Sequence, residues 1–66
     1  MREKNVMEMQ ERLTALGLYA DKIDGKAGMK SRVSTGAFEK QAGIKVDCFP
    51  TADDLEALRQ AQGQSQ

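Results

Sequence analysis

Apolar residues near the start of the chain recur at the spacing of a helix face. Val6, Met9, Leu13 and Leu16 follow one another at intervals of three or four residues. Such a period places the four side chains on one stripe of an α-helix. The pattern therefore predicts a first helix over about residues 5–16, with this stripe facing a core.

Both ends of the first helix carry informative residue types. Asn5, with Glu8 three positions later, resembles a capping box, which satisfies free backbone N–H groups at a helix start. Gly17 is expected just past the helix end, in the left-handed conformation. In that geometry Leu18 falls opposite Leu13, as in a Schellman ending.

A second helix is predicted over about residues 29–42. Its propensity is weak, because residues 33–36 are consecutive poor helix formers. Its ending is clearer: Gly43 supplies a second left-handed position, and Ile44 falls opposite Phe38.

The segment FPTADDLEAL predicts the start of the third helix. Thr51 is expected as its N-cap, with Asp54 at the third helical position, where negative charge favours the positive end of the helix dipole. Leu55 and Leu58 are expected to form its buried edge. The last residues, 61–66, have little to bury.

These elements predict an all-α fold: a small three-helix bundle with a long structured loop between the first two helices. Residues 1–4 are expected to form a flexible tail, residues 5–60 the domain, and residues 61–66 a disordered tail. The predicted core consists of Val6, Met9, Leu13, Leu16, Leu18, Ile23, Val33, Phe38, Ile44, Val46, Leu55 and Leu58.

Length and charge balance restrict the function classes. A chain of 66 residues is one small domain of modest stability. Ten basic and ten acidic residues cancel, which gives no electrostatic case for binding nucleic acid or an anionic membrane. No apolar run is long enough for a membrane-spanning helix or a secretory signal peptide, so we expect no membrane insertion. Any export signal is expected to have been removed or to lie in a longer parent.

Histidine is absent, and Cys48 is the one cysteine. These residues can build neither a zinc site nor an intramolecular disulfide, and we expect no metal and no cofactor. Cys48 is interpreted as a small apolar filler. A reactive thiol and an intermolecular disulfide are the alternatives.

Two carboxylates on the first helix, Glu8 and Glu11, raise the question of glycoside cleavage, which uses a carboxylate pair. A solvated helix face explains them more simply. The chain has no histidine, no plausible nucleophile and base pair, and no room for a deep cleft. We therefore predict no catalytic residues and no enzymatic activity of this chain itself.

The segment YADKIDGKAGMKS, residues 19–31, concentrates polar and cationic side chains between the first two helices. Asp24 and Gly25 are a turn signal, because the aspartate can accept backbone N–H bonds while glycine takes a positive φ. Two interpretations stay open: the pair holds the turn only, or Asp24 also contacts a ligand.

Most of the chain, about residues 5–59, resembles the small peptidoglycan-binding domain of bacterial and phage cell-wall enzymes. The matching positions are Gln10, Leu13, Leu16, Gly17, Tyr19, Asp24, Gly25, Gly28, Phe38, Gly43 and Asp47, with Met9, Ser31, Glu39 and Ile44 as near substitutions. The ending VDCFPTADDLEAL looks most like the C-terminal module of enzymes of the membrane-bound lytic murein transglycosylase B type.

The sequence departs from the family pattern at a few positions. Thr35 stands where valine is usual, so its hydroxyl needs a partner such as the carbonyl three or four residues back. Ala27 replaces a larger apolar residue. Cys48 replaces a glycine that is expected to need positive φ, at a cost of roughly 1–2 kcal/mol if that conformation is kept.

The resemblance implies a non-catalytic module that binds peptidoglycan, through its glycan strand or its stem peptide, and targets a covalently linked lytic transglycosylase or hydrolase in the periplasm or cell envelope. The loop is expected to present its ligand-binding residues along a shallow groove against the second helix. The candidate ligand-binding residues are Tyr19, Asp24, Gly25, Lys26, Lys30 and Arg32.

Each of these residues has a plainer alternative. Tyr19 offers a flat apolar face to a sugar or a peptide methyl, or it is a partly buried aromatic that caps the core. The lysines pair with stem-peptide carboxylates, or they are ordinary solubilising charges. The competing function is a protein–protein interaction module on the same three-helix scaffold, since a fold does not fix a function.

Overall fold

Three α-helices joined by two irregular connections make up the described part of the chain, residues 2–62 of a computed structural model. Helix α1 spans Glu3–Ala15, α2 spans Met29–Ala42 and α3 spans Ala52–Ala61. Residues 2–62 contain no strand, so the predicted all-α three-helix fold is confirmed. Each helix packs against the other two.

The end of α1 follows local rules, as predicted. Gly17 has φ +78°, its N–H donates to the Thr14 carbonyl at 2.9 Å, and the Leu18 N–H donates to the Leu13 carbonyl at 2.9 Å. These two bonds define a Schellman ending. The first connection therefore leaves α1 in a fixed direction.

The end of α2 repeats this geometry. Gly43 has φ +75°, its N–H donates to the Lys40 carbonyl at 3.2 Å, and the Ile44 N–H donates to the Glu39 carbonyl at 3.0 Å. The backbone ending is as predicted, although the Ile44 side chain is exposed.

The start of α1 differs from the prediction. The helix begins at Glu3 with Arg2 as its N-cap, and no side chain caps it. Asn5 therefore lies inside the helix, and the predicted capping box with Glu8 is wrong. The physical reason is that the Glu8 carboxylate binds Arg12 and Arg59 instead of returning to the helix start.

The start of α3 confirms its predicted cap. The Asp54 N–H donates to Thr51 Oγ1 at 3.2 Å, and the Thr51 N–H donates to Asp54 Oδ2 at 3.3 Å. The helix continues through Ala61 and ends at Gln62, whose side-chain amide donates to the Arg12 carbonyl at 3.0 Å. Two residues of the predicted disordered tail thus belong to the helix and its cap, whereas Met1 and residues 63–66 lie outside the described residues.

The apolar core is smaller than predicted. Its buried members are Val6, Met9, Leu13, Tyr19, Phe38, Leu55 and Leu58, with Leu18, Ile23 and Ala57 packed against it. The core prediction is wrong at four positions, because the side chains there are exposed: Leu16, Val33, Ile44 and Val46. Leu16 follows the last turn of α1, Ile44 and Val46 lie in the second connection, and Val33 lies on an uncovered face of α2.

Two side chains on the buried face of α2, those of Ser34 and Thr35, are polar, and the hydroxyl group of each one has a hydrogen-bond partner. Thr35 Oγ1 donates to the Ser31 carbonyl at 2.8 Å, which is the bond predicted for it. Ser34 Oγ donates to the Leu18 carbonyl at 2.6 Å and so joins α2 to the first connection. Because both hydroxyls have partners, their burial does not carry the cost of an unpaired polar group.

Cys48 keeps the backbone conformation expected of the glycine it replaces, with φ +63°. Its Sγ lies 2.6 Å from the point where a side chain at Gly36 would place its Cβ. The thiol therefore packs against bare backbone in the middle of α2. This contact agrees with the interpretation of Cys48 as a filler, although the residue as a whole is exposed.

No helix among residues 2–62 combines the length and the apolar character that crossing a bilayer requires.

A pair of leucines on α1 tests the packing. Leu13 is 1% exposed and Leu16 is 40% exposed. Leu13→Ala is expected to lower the free energy of unfolding by about 2–5 kcal/mol, because it leaves a cavity in the core. Leu16→Ala is the matched control and is expected to cost less than about 1 kcal/mol. Urea denaturation of both variants measures the difference, and equal losses would contradict this packing.

Candidate functional site

The first connection is held in place by one buried side chain of α1, Gln10. Its Oε1 accepts the N–H groups of Asp24 and Gly25 at 3.0 and 2.9 Å. Its Nε2 lies 3.1 Å from Asp24 Oδ1, 3.1 Å from the Lys26 carbonyl and 2.9 Å from Ser31 Oγ. Gln10 is 1% exposed, so these bonds form away from water. A single amide thus fixes the loop against α1 and the start of α2.

The Asp24–Gly25 turn has the geometry that its residue types predict. Asp24 Oδ1 accepts the Lys26 N–H at 2.9 Å, and Gly25 has φ +74°. A Cβ at Gly25 would overlap Glu3 Cγ and lie 3.0 Å from the Glu3 carbonyl oxygen. Hydrogen bonds from the Lys26 N–H and from Gln10 lower the pKa of Asp24, so its carboxylate stays ionised at neutral pH.

The second connection repeats this device with different residues. Glu39 of α2 is 1% exposed, and its Oε1 accepts the N–H groups of Asp47 and Cys48, both at 3.1 Å. Asp47 Oδ1 accepts the Phe49 N–H at 3.1 Å, as Asp24 accepts that of Lys26. Cys48 therefore occupies the place in this turn that Gly25 occupies in the first.

Two adjoining hollows lie where the first connection meets α2, and we call them together the loop groove. The first, of about 350 Å³, is called the polar hollow after its four charged side chains, and it is lined by Tyr19, Asp21, Asp24, Lys26, Gly28, Met29, Lys30 and Ser31. The apolar hollow, of about 470 Å³, is lined by Tyr19, Ala20, Met29, Lys30, Val33 and Ser34. The shared residues make the two hollows one continuous surface.

The start of α2 opens into the polar hollow. Its N-cap, Gly28, has no side chain to bind the first N–H groups, and the first turn of the helix holds no acidic residue. The positive end of the helix dipole is therefore not neutralised by the helix itself. Lys26 and Lys30 are both exposed beside it, and Lys30 Nζ lies 3.9 Å from Asp21 Oδ2. This part of the groove favours an anionic or hydrogen-bond-accepting group.

The structure brings together some of the predicted ligand-binding residues and separates others. Asp24, Lys26 and Lys30 line the groove. Tyr19 also lines it but is only 4% exposed, and its hydroxyl donates to the Lys22 carbonyl at 2.6 Å. Tyr19 is thus the buried aromatic of the alternative interpretation, and its flat face is not free for stacking.

Two further candidates do not contribute a side chain to the groove. Gly25 is a buried residue of the turn and contributes its backbone conformation only. Arg32 lines neither hollow, because its guanidinium carbon lies 5.0 Å from the centre of the Phe49 ring on another side of α2. This stacking is a cation–π contact with the second connection.

A comparison with family models decides the relationship. The model described as "Putative peptidoglycan binding domain" matches residues 2–58, which is most of the chain. The chain belongs to the peptidoglycan-binding domain family. Membership of this family implies a cell-wall-associated location. No curated protein and no solved structure gives a significant match.

Only some of the residues that build the groove of this peptidoglycan-binding domain could be recognised from the sequence. Gln10 matched the family pattern, but its role as the support of the loop was missed. The available signal was its position: Gln10 follows Met9 and lies three residues before Leu13, beside the apolar stripe of the first helix. Met29 and Val33 were also missed as groove residues, since apolar spacing alone placed Val33 in the core.

An ion-pair network joins α1 to α3 on the domain's surface. Glu8 Oε2 lies 2.8 Å from Arg12 Nε, and Glu8 Oε1 lies 2.8 Å from Arg59 Nη2. The hydrogen bond from Arg59, with a further one from Arg12, lowers the pKa of Glu8 to about 2 despite its partial burial. Glu8 is thus a structural anion and not one of the freely solvated charges expected for this helix face.

A cluster of three carboxyl groups surrounds the second turn. Oxygens of Glu39, Asp47 and Asp54 lie within 4.8 Å of one another. Backbone N–H groups already bind an oxygen of each of these side chains. Because these bonds account for the arrangement, we assign no metal to it.

The Gln10 support can be tested by replacing its amide with a hydrocarbon of similar size. Gln10→Leu is expected to lower the free energy of unfolding by about 2–4 kcal/mol, because it leaves the buried N–H groups of Asp24 and Gly25 without partners. Gln41→Leu, at an exposed position of α2, is the matched control. Denaturant unfolding measures both. A Gln10→Leu variant as stable as the Gln41→Leu control would contradict the role given to Gln10.

The Glu8 network predicts a dependence of stability on acid. Because the folded-state pKa of Glu8 is lowered from 4.5 to about 2, its contribution is present above about pH 4.5 and is lost as the pH falls towards 2. Glu8→Gln is expected to cost on the order of 1–2 kcal/mol near neutral pH, a figure reduced for partial exposure. The difference from the unsubstituted protein should shrink with falling pH.

The matched control for this experiment is Glu11→Gln, an exposed position one turn away. Its urea unfolding curves should follow those of the unsubstituted protein at every pH. A Glu8→Gln deficit that stays constant from neutral pH to about pH 2 would show that the charge of Glu8 is not responsible.

Proposed function

We propose that this domain is a non-catalytic module that binds peptidoglycan through the loop groove and holds an attached lytic enzyme at its substrate. One observation carries the proposal: a rigidly supported groove in which two lysines and an uncapped helix start adjoin an apolar hollow. Family membership makes peptidoglycan the expected ligand, and the groove offers complementary chemistry to it.

The polar hollow suits the carboxylates of stem peptides. Lys26 and Lys30 provide positive charge, and free N–H groups in the first turn of α2 can donate to the same oxygens. Asp24 stays ionised and provides an acceptor for a sugar hydroxyl or for the N–H of an N-acetyl group. The hollow can therefore bind both acceptor and donor groups of the wall.

The apolar hollow suits the small aliphatic groups beside those polar atoms. Met29 is 76% exposed and Val33 is 65% exposed, and both line this hollow with Ala20. Burying such side chains under a peptide methyl contributes roughly 25 cal/mol per Å² of apolar area removed from water. A shallow groove of this kind fits weak binding to a repeating polymer.

The state of Glu8 supports a function without catalysis. Glycoside cleavage needs a carboxylic acid that is protonated near neutral pH and so has a raised pKa. Hydrogen bonds from Arg59 and Arg12 lower the pKa of Glu8 to about 2, and both of its oxygens already bind arginines. Glu8 with Glu11 is therefore a poor acid and base pair.

The attached enzyme is inferred from the C-terminal part of the sequence, which resembles the final module of enzymes of the lytic murein transglycosylase B type. A tethered module converts later encounters with the wall into effectively intramolecular ones, with local concentrations in the millimolar range for short linkers. Weak affinity is then sufficient. This role places the parent protein in the periplasm or cell envelope.

A protein-interaction module is the second candidate. A separate exposed patch favours it, because Phe49 is 56% exposed and Val46 is 51% exposed in the second connection. Aromatic side chains such as that of Phe49 are enriched in protein interfaces. In this alternative the three helices present the second connection, and not the loop groove, to the partner.

Reversing the groove charges tests the wall-binding function. The double variant Lys26→Glu with Lys30→Glu is expected to keep the helical circular dichroism signal and to bind purified insoluble sacculi about tenfold more weakly, because each change replaces attraction to carboxylates with repulsion. Co-sedimentation at low salt measures the bound fraction, which added salt should also reduce.

The matched control is Lys40→Glu with Lys45→Glu, which changes the net charge equally at exposed positions outside the groove. It should sediment like the unsubstituted domain. Equal losses in both double variants would assign binding to net charge alone. If the folded domain stays in the supernatant at low salt while a partner protein captures it, the interaction function replaces wall binding.

A further inference from the structure

The two turns of the domain are built alike except for the side chain that supports each one. Gln10 accepts two backbone N–H groups with its oxygen and donates from its nitrogen to the Asp24 carboxylate. Glu39 accepts the corresponding N–H groups of Asp47 and Cys48. An ionised Glu39 has no hydrogen to donate, whereas a protonated one has the donor that the amide of Gln10 supplies.

The surroundings of Glu39 favour the protonated form. Glu39 is 1% exposed and Asp54 is 3% exposed, and oxygens of both lie within 4.8 Å of those of Asp47. Asp47 is exposed, but a negative charge on the buried Glu39 this close to the buried Asp54 would be strongly unfavourable. A proton on Glu39 lowers the negative charge of the cluster by one, which reduces this repulsion, and lets Glu39 donate a hydrogen bond to a neighbouring carboxylate.

The charged groups facing Glu39 come from the second connection and from α3. They are Asp47 and Asp54, and Lys45 acts on Asp47. After burial, the Asp54 side chain has the largest effect on the pKa of Glu39.

We propose that Glu39 is protonated in the folded domain and shares its proton with the carboxylates of Asp47 and Asp54, which makes the second connection a pH-dependent latch between α2 and α3. When the proton is present, the cluster closes the connection over α2. When the proton is lost, repulsion within the cluster opens the turn at residues 44–50 and weakens the docking of α3.

The pKa values of Glu39 and Asp47 are shifted in the directions that this geometry favours. Burial raises the pKa of Glu39, and the Asp54 carboxylate raises it further, against the opposing effect of the Cys48 and Asp47 N–H groups. The Phe49 N–H and the hydrogen bond with Glu39 lower the pKa of Asp47. Because the folded-state pKa of Glu39 lies above its unfolded value, the stability it contributes is present at low pH and is lost as the pH rises through the folded-state value.

The test compares melting temperatures of the unsubstituted domain and Glu39→Gln between about pH 5 and pH 7.5, a window above the unfolded pKa of carboxyl groups and free of histidine titration. Glutamine keeps the acceptor and supplies a donor at every pH. We expect the unsubstituted domain to lose about 5 °C across this window and Glu39→Gln to stay nearly constant. All solutions contain a chelator, which excludes a bound divalent cation as the cause.

Glu56→Gln, an exposed position of α3, is the matched control and should keep the pH dependence of the unsubstituted domain. Parallel curves for the unsubstituted domain and Glu39→Gln would overturn the latch. A second measurement does not depend on folding of the variant: the Cδ chemical shift of Glu39 in the unsubstituted domain should titrate with a midpoint above the ordinary glutamate value of about 4.3. A midpoint at or below that value would also overturn the proposal.

Discussion

The fold of this domain depends on hydrogen bonds between the Gln10 side chain and the backbone of the first connection. The segment between α1 and α2 has no regular secondary structure of its own, so its polar backbone groups need other partners. Gln10 supplies an acceptor for two of them and donors for the facing oxygens in one buried position. The groove, the start of α2 and the packing of Tyr19 all follow from the path that this amide gives to the chain.

Hydrogen bonds of buried polar side chains are particularly important for the stability of a domain this small. Seven apolar side chains are buried among the described residues, which is a limited core for a domain that must also order two long connections. Buried polar side chains on the helices, each with partners, extend the interior beyond this core. Among residues 2–62, no buried side-chain polar atom lacks a hydrogen-bond partner. The rigid part of the molecule is therefore as much a polar frame as an apolar core.

Features fixed by neighbouring residues were predictable from the sequence, and features fixed by distant residues were not. The endings at Gly17 and Gly43, the Thr51 cap and the bond from the Thr35 hydroxyl each depend on a few consecutive positions. The prediction of a capping box at Asn5 was wrong because the Glu8 carboxylate forms an ion pair with Arg59, which lies near the other end of the chain. For the site, the lysines and Asp24 were found by their types, whereas the burial of Tyr19 and the separation of Arg32 depend on packing that spacing does not encode.

The contact between Cys48 and Gly36 links two positions that lie in different elements. The thiol fills the volume beside α2 that a Cβ at position 36 would need, so the helix accepts glycine there despite its low helix propensity. Among related sequences, the two positions should therefore vary together. Where position 48 is the glycine that its positive φ favours, position 36 is free to hold alanine and gain helix stability, but a side chain at position 48 restricts position 36 to glycine.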